Sequence, residues 1–193
     1  MAREALVLYV IVCGAPPAQR TPGVVEFVRD CQATGWDVCV IPTRIGRRFL
    51  DTGLLAKLTG HPLRDDYKYP HEDDVLPMPA DAIVVAPATF NTVNKLAAGI
   101  SDTLPLGLLN EAIGGRIPVT MAVYTNEMLA GHPIFARSVA SLRSYGVRFV
   151  PDTDNIAELA TKPADLPFPW PALLAVTNEL HSSLSAQSPT QLG

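Results

Sequence analysis

Unbroken apolar runs and amphipathic stretches alternate along this chain. Ala5–Cys13, Asp37–Ile41, Ala82–Val85, Val119–Val123 and Val147–Val150 are short, continuous and rich in β-branched residues. That is the pattern of strands covered on both faces in a parallel sheet. Between them, Val24, Val25, Phe27, Val28 and Cys31 predict a helix closed by Gly35, and Val93, Leu96, Ala97 and Ile100 form an apolar stripe at i, i+3, i+4, i+7. Ile134, Phe135, Val139 and Leu142 mark the inward face of a helix from His132 to Tyr145, ended by Gly146. Phe49–Leu58 reads as short helices. Leu104–Ile113 is apolar around most of its circumference, as expected of a helix that is buried or packed against another subunit. Gly60–Pro79 is polar, proline-rich and without a period, so it reads as a surface loop.

Strands alternating with helices predict an α/β fold, a single doubly wound parallel sheet of the Rossmann or flavodoxin-like kind with helices on both faces. Ligands in such sheets sit at the carboxyl ends of the strands, which here brings together the turns at Gly14, Thr43 and Ala86. The last of these is the most informative. Pro87 is expected to stop the Ala82–Val85 strand, and Thr89, Asn91 and Thr92 then supply groups that can cap the following helix. Unpaired N–H groups and the positive end of the helix dipole favour an anion at such a place, phosphate above all.

Residues 1–160 are expected to form this domain, 161–185 a proline-rich linker and C-terminal helix (Ala172–Leu184), and 186–193 a disordered Ser/Gln-rich tail. The chain has 193 residues, enough for one core without disulfides or metal, and a net charge of −4. With no basic face, nucleic acid is not an expected partner. The clustered Arg44, Arg47 and Arg48 read as a solvated surface, with a nearby phosphate as the lesser alternative. Cys13, Cys31 and Cys39 form no disulfide framework and no zinc spacing, so no metal is expected. No segment reaches the roughly 18 apolar residues that span a membrane. The apolar run after Met1–Glu4 reads as a first core strand rather than a signal peptide, and a reducing, cytoplasmic compartment is expected.

The run Ala86-Pro87-Ala88-Thr89-Phe90-Asn91-Thr92, continued by Ala98-Gly99-Ile100-Ser101-Asp102-Thr103-Leu104, resembles the signature of the flavin-containing cysteine decarboxylases. That family includes phosphopantothenoylcysteine decarboxylases and the peptidyl-cysteine decarboxylases of lantibiotic biosynthesis. Flavin prenyltransferases are more distant relatives. Weaker likeness extends from Leu6 to Pro151. The resemblance implies bound FMN, lined by Ala86, Pro87, Ala88, Thr89, Asn91 and Thr92, and a homo-oligomer that is a trimer or a multiple of trimers.

Outside the signature the match is uneven. Gly14-Ala15-Pro16-Pro17 stands where the family has a glycine-serine phosphate loop, but two prolines remove N–H donors and no serine is present. Phosphate contacts must then come from Gly14, Ala15 or Thr43, the last matching a family hydroxyl or simply capping a helix. Asn91 could bond the flavin ring or only cap. Asp102 reads as structural. His71 is the candidate for the family's histidine, although Glu72, Asp73 and Asp74 follow it where an apolar residue is usual. Val123-Tyr124-Thr125-Asn126-Glu127-Met128 aligns with a substrate clamp in which Asn126 is kept; in relatives that asparagine holds the substrate carboxylate. The alternative is an ordinary turn residue. His132-Pro133 reads as a helix start.

No cysteine follows Cys39, so the thiol that reduces the enethiol intermediate in phosphopantothenoylcysteine decarboxylases is missing. The reaction implied is FMN-dependent oxidative decarboxylation of a cysteine-like thiol, peptide or small molecule, ending at the enethiol, with His71 and Asn126 as catalytic groups. Two other readings stay open. One is a non-catalytic flavin carrier or sensor, favoured by the altered clamp. The other is an enzyme like the flavin prenyltransferases.

Overall fold

Six consecutive apolar residues with no exposed member make β1 (Val7–Val12) the strand on which the sheet is built. The computed structural model describes residues 5–20, 23–68, 71, 76–77, 79–160 and 167–187. β2 (Asp37–Pro42), β3 (Ala82–Ala88), β4 (Val119–Val123) and β5 (Arg148–Val150) join it in the order β2-β1-β3-β4-β5, with every pairing parallel. The order reverses between β1 and β3. The expected doubly wound sheet is therefore present, and its switch point lies where the two central strands end.

Side-chain alternation divides the core in two. Val7, Tyr9, Ile11 and Cys13 face one side with Val85, Met121, Val123 and Phe149, under α3 (Phe90–Ala97), α4 (Leu104–Gly114) and α6 (Pro133–Ser144). Leu8, Val10 and Val12 face the other with Val40, Val84 and Tyr124, under α1 (Val24–Ala33) and α8 (Trp170–Gln187). α2 (Thr52–Thr59) covers the β2 edge through Leu55. The single turns α5 (Glu127–Ala130) and α7 (Ile156–Leu159) complete the chain. Gly35 and Gly146 take φ of 103° and 93°, the left-handed conformation that ends α1 and α6 as their sequence positions suggested.

Two expectations change and one is decided. Pro87 does not stop its strand: β3 runs on to Ala88, and the register with β4 shifts between Val85 and Ala88. A proline is tolerated there because the shift removes the need for its missing N–H, while its carbonyl still accepts from Cys13 N–H at 3.1 Å. α4 meets the first of its two expected readings, a buried helix, since Leu106, Leu108, Leu109 and Ala112 are buried within the chain. α8 starts at Trp170 and ends at Gln187, longer at both ends than its periodicity predicted, and it overlaps the segment expected to be disordered. Residues 161–166 and 188–193, the rest of the expected linker and tail, lie outside the described residues.

Within Gly60–Pro79, Tyr67 packs on the start of α4, donating towards the carbonyls of Thr103 at 3.2 Å and Ser101 at 3.4 Å. Arg47 pairs with Asp65 at 2.9 Å and Arg44 with Asp66 at 3.7 Å, which accounts for two of the three clustered arginines.

Candidate functional site

The carboxyl ends of β1 to β4 converge, and each delivers a turn whose sequence fits close approach. After β1, a Cβ on Gly14 would lie 2.4 Å from Ile45 Cγ2, and one on Gly46 would lie 2.1 Å from the Val12 carbonyl oxygen. The loops following β1 and β2 thus interlock at two glycines. Thr43 holds the second loop in shape: its N–H donates to Val12 O at 2.8 Å, and its Oγ1 accepts from Gly46 N–H at 2.9 Å. That leaves its O–H proton free to donate. Ala15 is buried, and its N–H donates to Cys13 O at 3.0 Å, so this amide is engaged within its own turn.

Ala86, Pro87 and Ala88 form a buried floor. The Pro87 and Ala88 carbonyls accept from Cys13 and Tyr124 N–H groups and are spent on the sheet. Thr89 takes the N-cap position of α3, yet its side chain makes no cap bond. Its hydroxyl lies 3.3 Å from Thr92 Oγ1, which lies 3.2 Å from Cys13 Sγ. Asn91 is exposed and not the cap, and its amide carries no hydrogen bond among the described residues. The first N–H groups of α3 thus have no intrahelical partner and no bond from the N-cap side chain. Asp102 pairs with Lys95 at 2.5 Å, while Thr103 is the residue at the N-cap of α4.

At the end of β4, Asn126 caps α5, its Oδ1 accepting from Leu129 N–H at 2.9 Å. The capping alternative is thus present in fact, but it uses the oxygen only and leaves Nδ2 as donor. His132 begins α6, with Nδ1 accepting from Ile134 N–H at 3.1 Å and its ring edge on Phe90 at 5.9 Å. Beside them opens a cavity of about 360 Å³ walled by Ala130, Ala136, Ile156 and Ala160, with Glu127 and His132 as its polar members. His71 is exposed, in a turn between residues outside the described set, including the acids Glu72–Asp74.

Three features escaped the sequence reading. Thr125 is 6% exposed with an unpartnered hydroxyl, and so is the Tyr124 hydroxyl beside it at 8%. Extending the alternation of Val119, Met121 and Val123 by one step would have flagged Thr125 as inward-facing. The third is the Cys13 contact with Thr92, which pairs residues distant in sequence and left no local signal. Burial pushes the Cys13 thiol up from its ordinary value, against bonds from Thr92 and Thr89 that pull it down. Cys31 and Cys39 are pushed up to about 12, by burial first and by Asp30 and Asp37 respectively. Among the described residues no cluster could hold a metal ion, and no helix is long and apolar enough to cross a membrane.

Residues 3–174 match the family described as Flavoprotein. The chain belongs to the flavoprotein family. This flavoprotein is 30% identical over 146 residues to the coenzyme A biosynthesis bifunctional protein CoaBC of Mycolicibacterium smegmatis, covering 72% of this chain and 34% of that one. It is 35% identical over 99 residues to a cysteine/cysteine sulfinic acid decarboxylase of an unknown prokaryotic organism, covering 48% of this chain and 26% of that one. It spans about a third or less of the length of such curated relatives. The solved structure of the FMN-dependent cysteine decarboxylase SpaF superimposes with a TM-score of 0.63 at 26% identity, covering 76% of this chain and 83% of that one.

Proposed function

We propose that this flavoprotein binds FMN across the carboxyl ends of β1, β2 and β3 and decarboxylates a cysteine-like thiol held at the end of β4. What carries the reading is the Thr89–Thr92 turn with its uncapped α3 N-terminus at the sheet's switch point, at the same end of the sheet as the Gly14 and Thr43 loops, in a chain matched to a flavoprotein family over residues 3–174. The cysteine decarboxylases among its relatives supply the substrate class.

The residues present fit an FMN. The α3 amides and the Thr43 O–H are donors for a phosphate, Gly14 lets its loop come close, and Asn91 has an uncommitted amide for a carbonyl or ring N–H. Bound FMN would supply the two-electron oxidation of the thiol substrate that precedes loss of carbon dioxide. Asn126 Nδ2 donates to the substrate carboxylate and orients it, while its Oδ1 stays bound to Leu129 N–H and fixes the amide plane. The role of base or substrate orienter falls to His71 on the family resemblance. A homo-oligomer built on trimers remains part of the proposal, supported by the exposed apolar side chains Met128 (89%), Leu129 and Ile134 beside the cavity. A monomer by light scattering would overturn that part.

The test is incubation of the FMN-loaded protein with peptides and small thiols carrying a cysteine carboxylate. The expected product is lighter by carbon dioxide and two hydrogen atoms. Loss of carbon dioxide alone would contradict the oxidative step. Unchanged substrates throughout would leave a flavin carrier.

A further inference from the structure

Behind the β3–α3 turn, Cys13, Thr92 and Thr89 each bring one side-chain proton into a connected set of contacts. Cys13 Sγ is 3.2 Å from Thr92 Oγ1, which is 3.3 Å from Thr89 Oγ1. Thr89, by its backbone and its hydroxyl, also favours the ionised form of the thiol against the larger effect of burial. Exposure rises along the chain of atoms: Cys13 is 1% exposed, Thr92 5%, and Thr89 is the member that reaches the surface. An N-cap threonine ordinarily spends its oxygen on a backbone N–H of the first turn, but Thr89 makes no such bond. Its hydroxyl is held from behind, by Thr92 and Cys13.

The contacts admit two directions, and one of them turns the Thr89 proton outward. Deep burial keeps the thiol protonated. Either atom of each pair can donate; when S–H donates to Thr92 Oγ1 and Thr92 O–H donates to Thr89 Oγ1, the Thr89 proton is left over at the partly exposed end of the set. Without Cys13, Thr92 could turn its proton either way and Thr89 would lose its orientation.

We propose that Cys13 is a positioning residue for bound FMN: its thiol proton orders the Thr92 and Thr89 hydroxyls so that Thr89 donates outward to an acceptor oxygen of the flavin nucleotide. The inference rests on the reading that this turn binds FMN. It assigns no redox or nucleophilic part to the thiol, which stays reduced and protonated throughout.

The experiment titrates flavin-free protein with FMN, following quenching of flavin fluorescence, with a thermal melt of each variant to confirm folding. C13A and T92V should each weaken FMN binding about tenfold. C13S, which restores a donor and acceptor at the same place, should bind within about twofold of the parent. The double variant C13A/T89V should bind no more weakly than T89V within about twofold, since both act on one bond. If C13A does not fold, T92V, C13S and the pair T92V/T89V read the same relay. Parent-like binding by C13A and T92V would overturn the proposal. So would C13S binding as weakly as C13A, which would mark a packing role, or full additivity in the double variant. A parent protein that takes up no FMN overturns the flavin reading itself and this inference with it, an outcome distinct from variants that bind as well as the parent.

Discussion

Asn126 Oδ1 accepts the Leu129 N–H at 2.9 Å, so a single amide both caps α5 and offers its remaining nitrogen to the end of β4. The two roles separate by substitution. Asn126→Asp keeps a cap of similar strength but puts a negative charge beside the substrate carboxylate, whereas Asn126→Ala loses cap and donor together. The expected outcome is a loss of decarboxylation of at least about 100-fold in both. Stability should fall by about 1 kcal/mol in the alanine variant alone. Parallel turnover assays and urea melts check it, and an active aspartate variant would remove Asn126 from the carboxylate.

The interlock of the first two loops predicts a compensating pair. Gly14→Ala drives a Cβ to within 2.4 Å of Ile45 Cγ2, a clash expected to cost about 1–3 kcal/mol and to lower FMN affinity. Ile45 is 51% exposed, so Ile45→Ala is cheap by itself and should restore much of the loss. A double-mutant cycle in stability and FMN titration measures the coupling.

Much of this architecture is legible in the chain because its signals are local. The β-branched runs, the stripe from Val93 to Ile100 and the glycines at 35 and 146 each define an element on their own, and Asp81–Leu104 joins a strand, a turn and a helix at the ligand edge. What was not legible depends on partners distant in sequence. The Cys13 contact with Thr92 and the interlock of Gly14 with Ile45 both follow from packing. Pro87 misled because its effect depends on a register shift with β4 that local sequence does not encode. Asn126 illustrates a third case, where a structural role and a chemical one use different atoms of one side chain.

Thr125 gives a prediction of opposite sign to most core changes. Its hydroxyl is buried without a partner, so Thr125→Val should stabilise the flavin-free protein, by about 1 kcal/mol. Chemical denaturation of the flavin-free variant is the check, and destabilisation by a similar amount would show that the hydroxyl is satisfied in solution.

The cysteines set an alkaline limit. Cys31 and Cys39 have folded pKa values raised from 9.0 to about 12 by burial, so on raising the pH the unfolded chain ionises first. Their stabilising contribution is complete below pH 9.0 and is lost progressively towards about 12. The urea midpoint should therefore fall across that window, and Cys39→Ala should make the fall shallower. At neutral pH all three buried thiols should resist a water-soluble thiol reagent until the protein unfolds. Rapid labelling of the folded protein would contradict this.

The most direct test of the central claim is the visible absorption spectrum of the purified protein, with the mass of whatever heat releases from it. Flavin bands and an FMN mass are the result predicted by the open α3 turn and the Gly14 and Thr43 loops. A colourless protein that also fails to take up added FMN would mean that the proline-substituted first loop cannot cradle a phosphate, and the decarboxylase reading would fall with it.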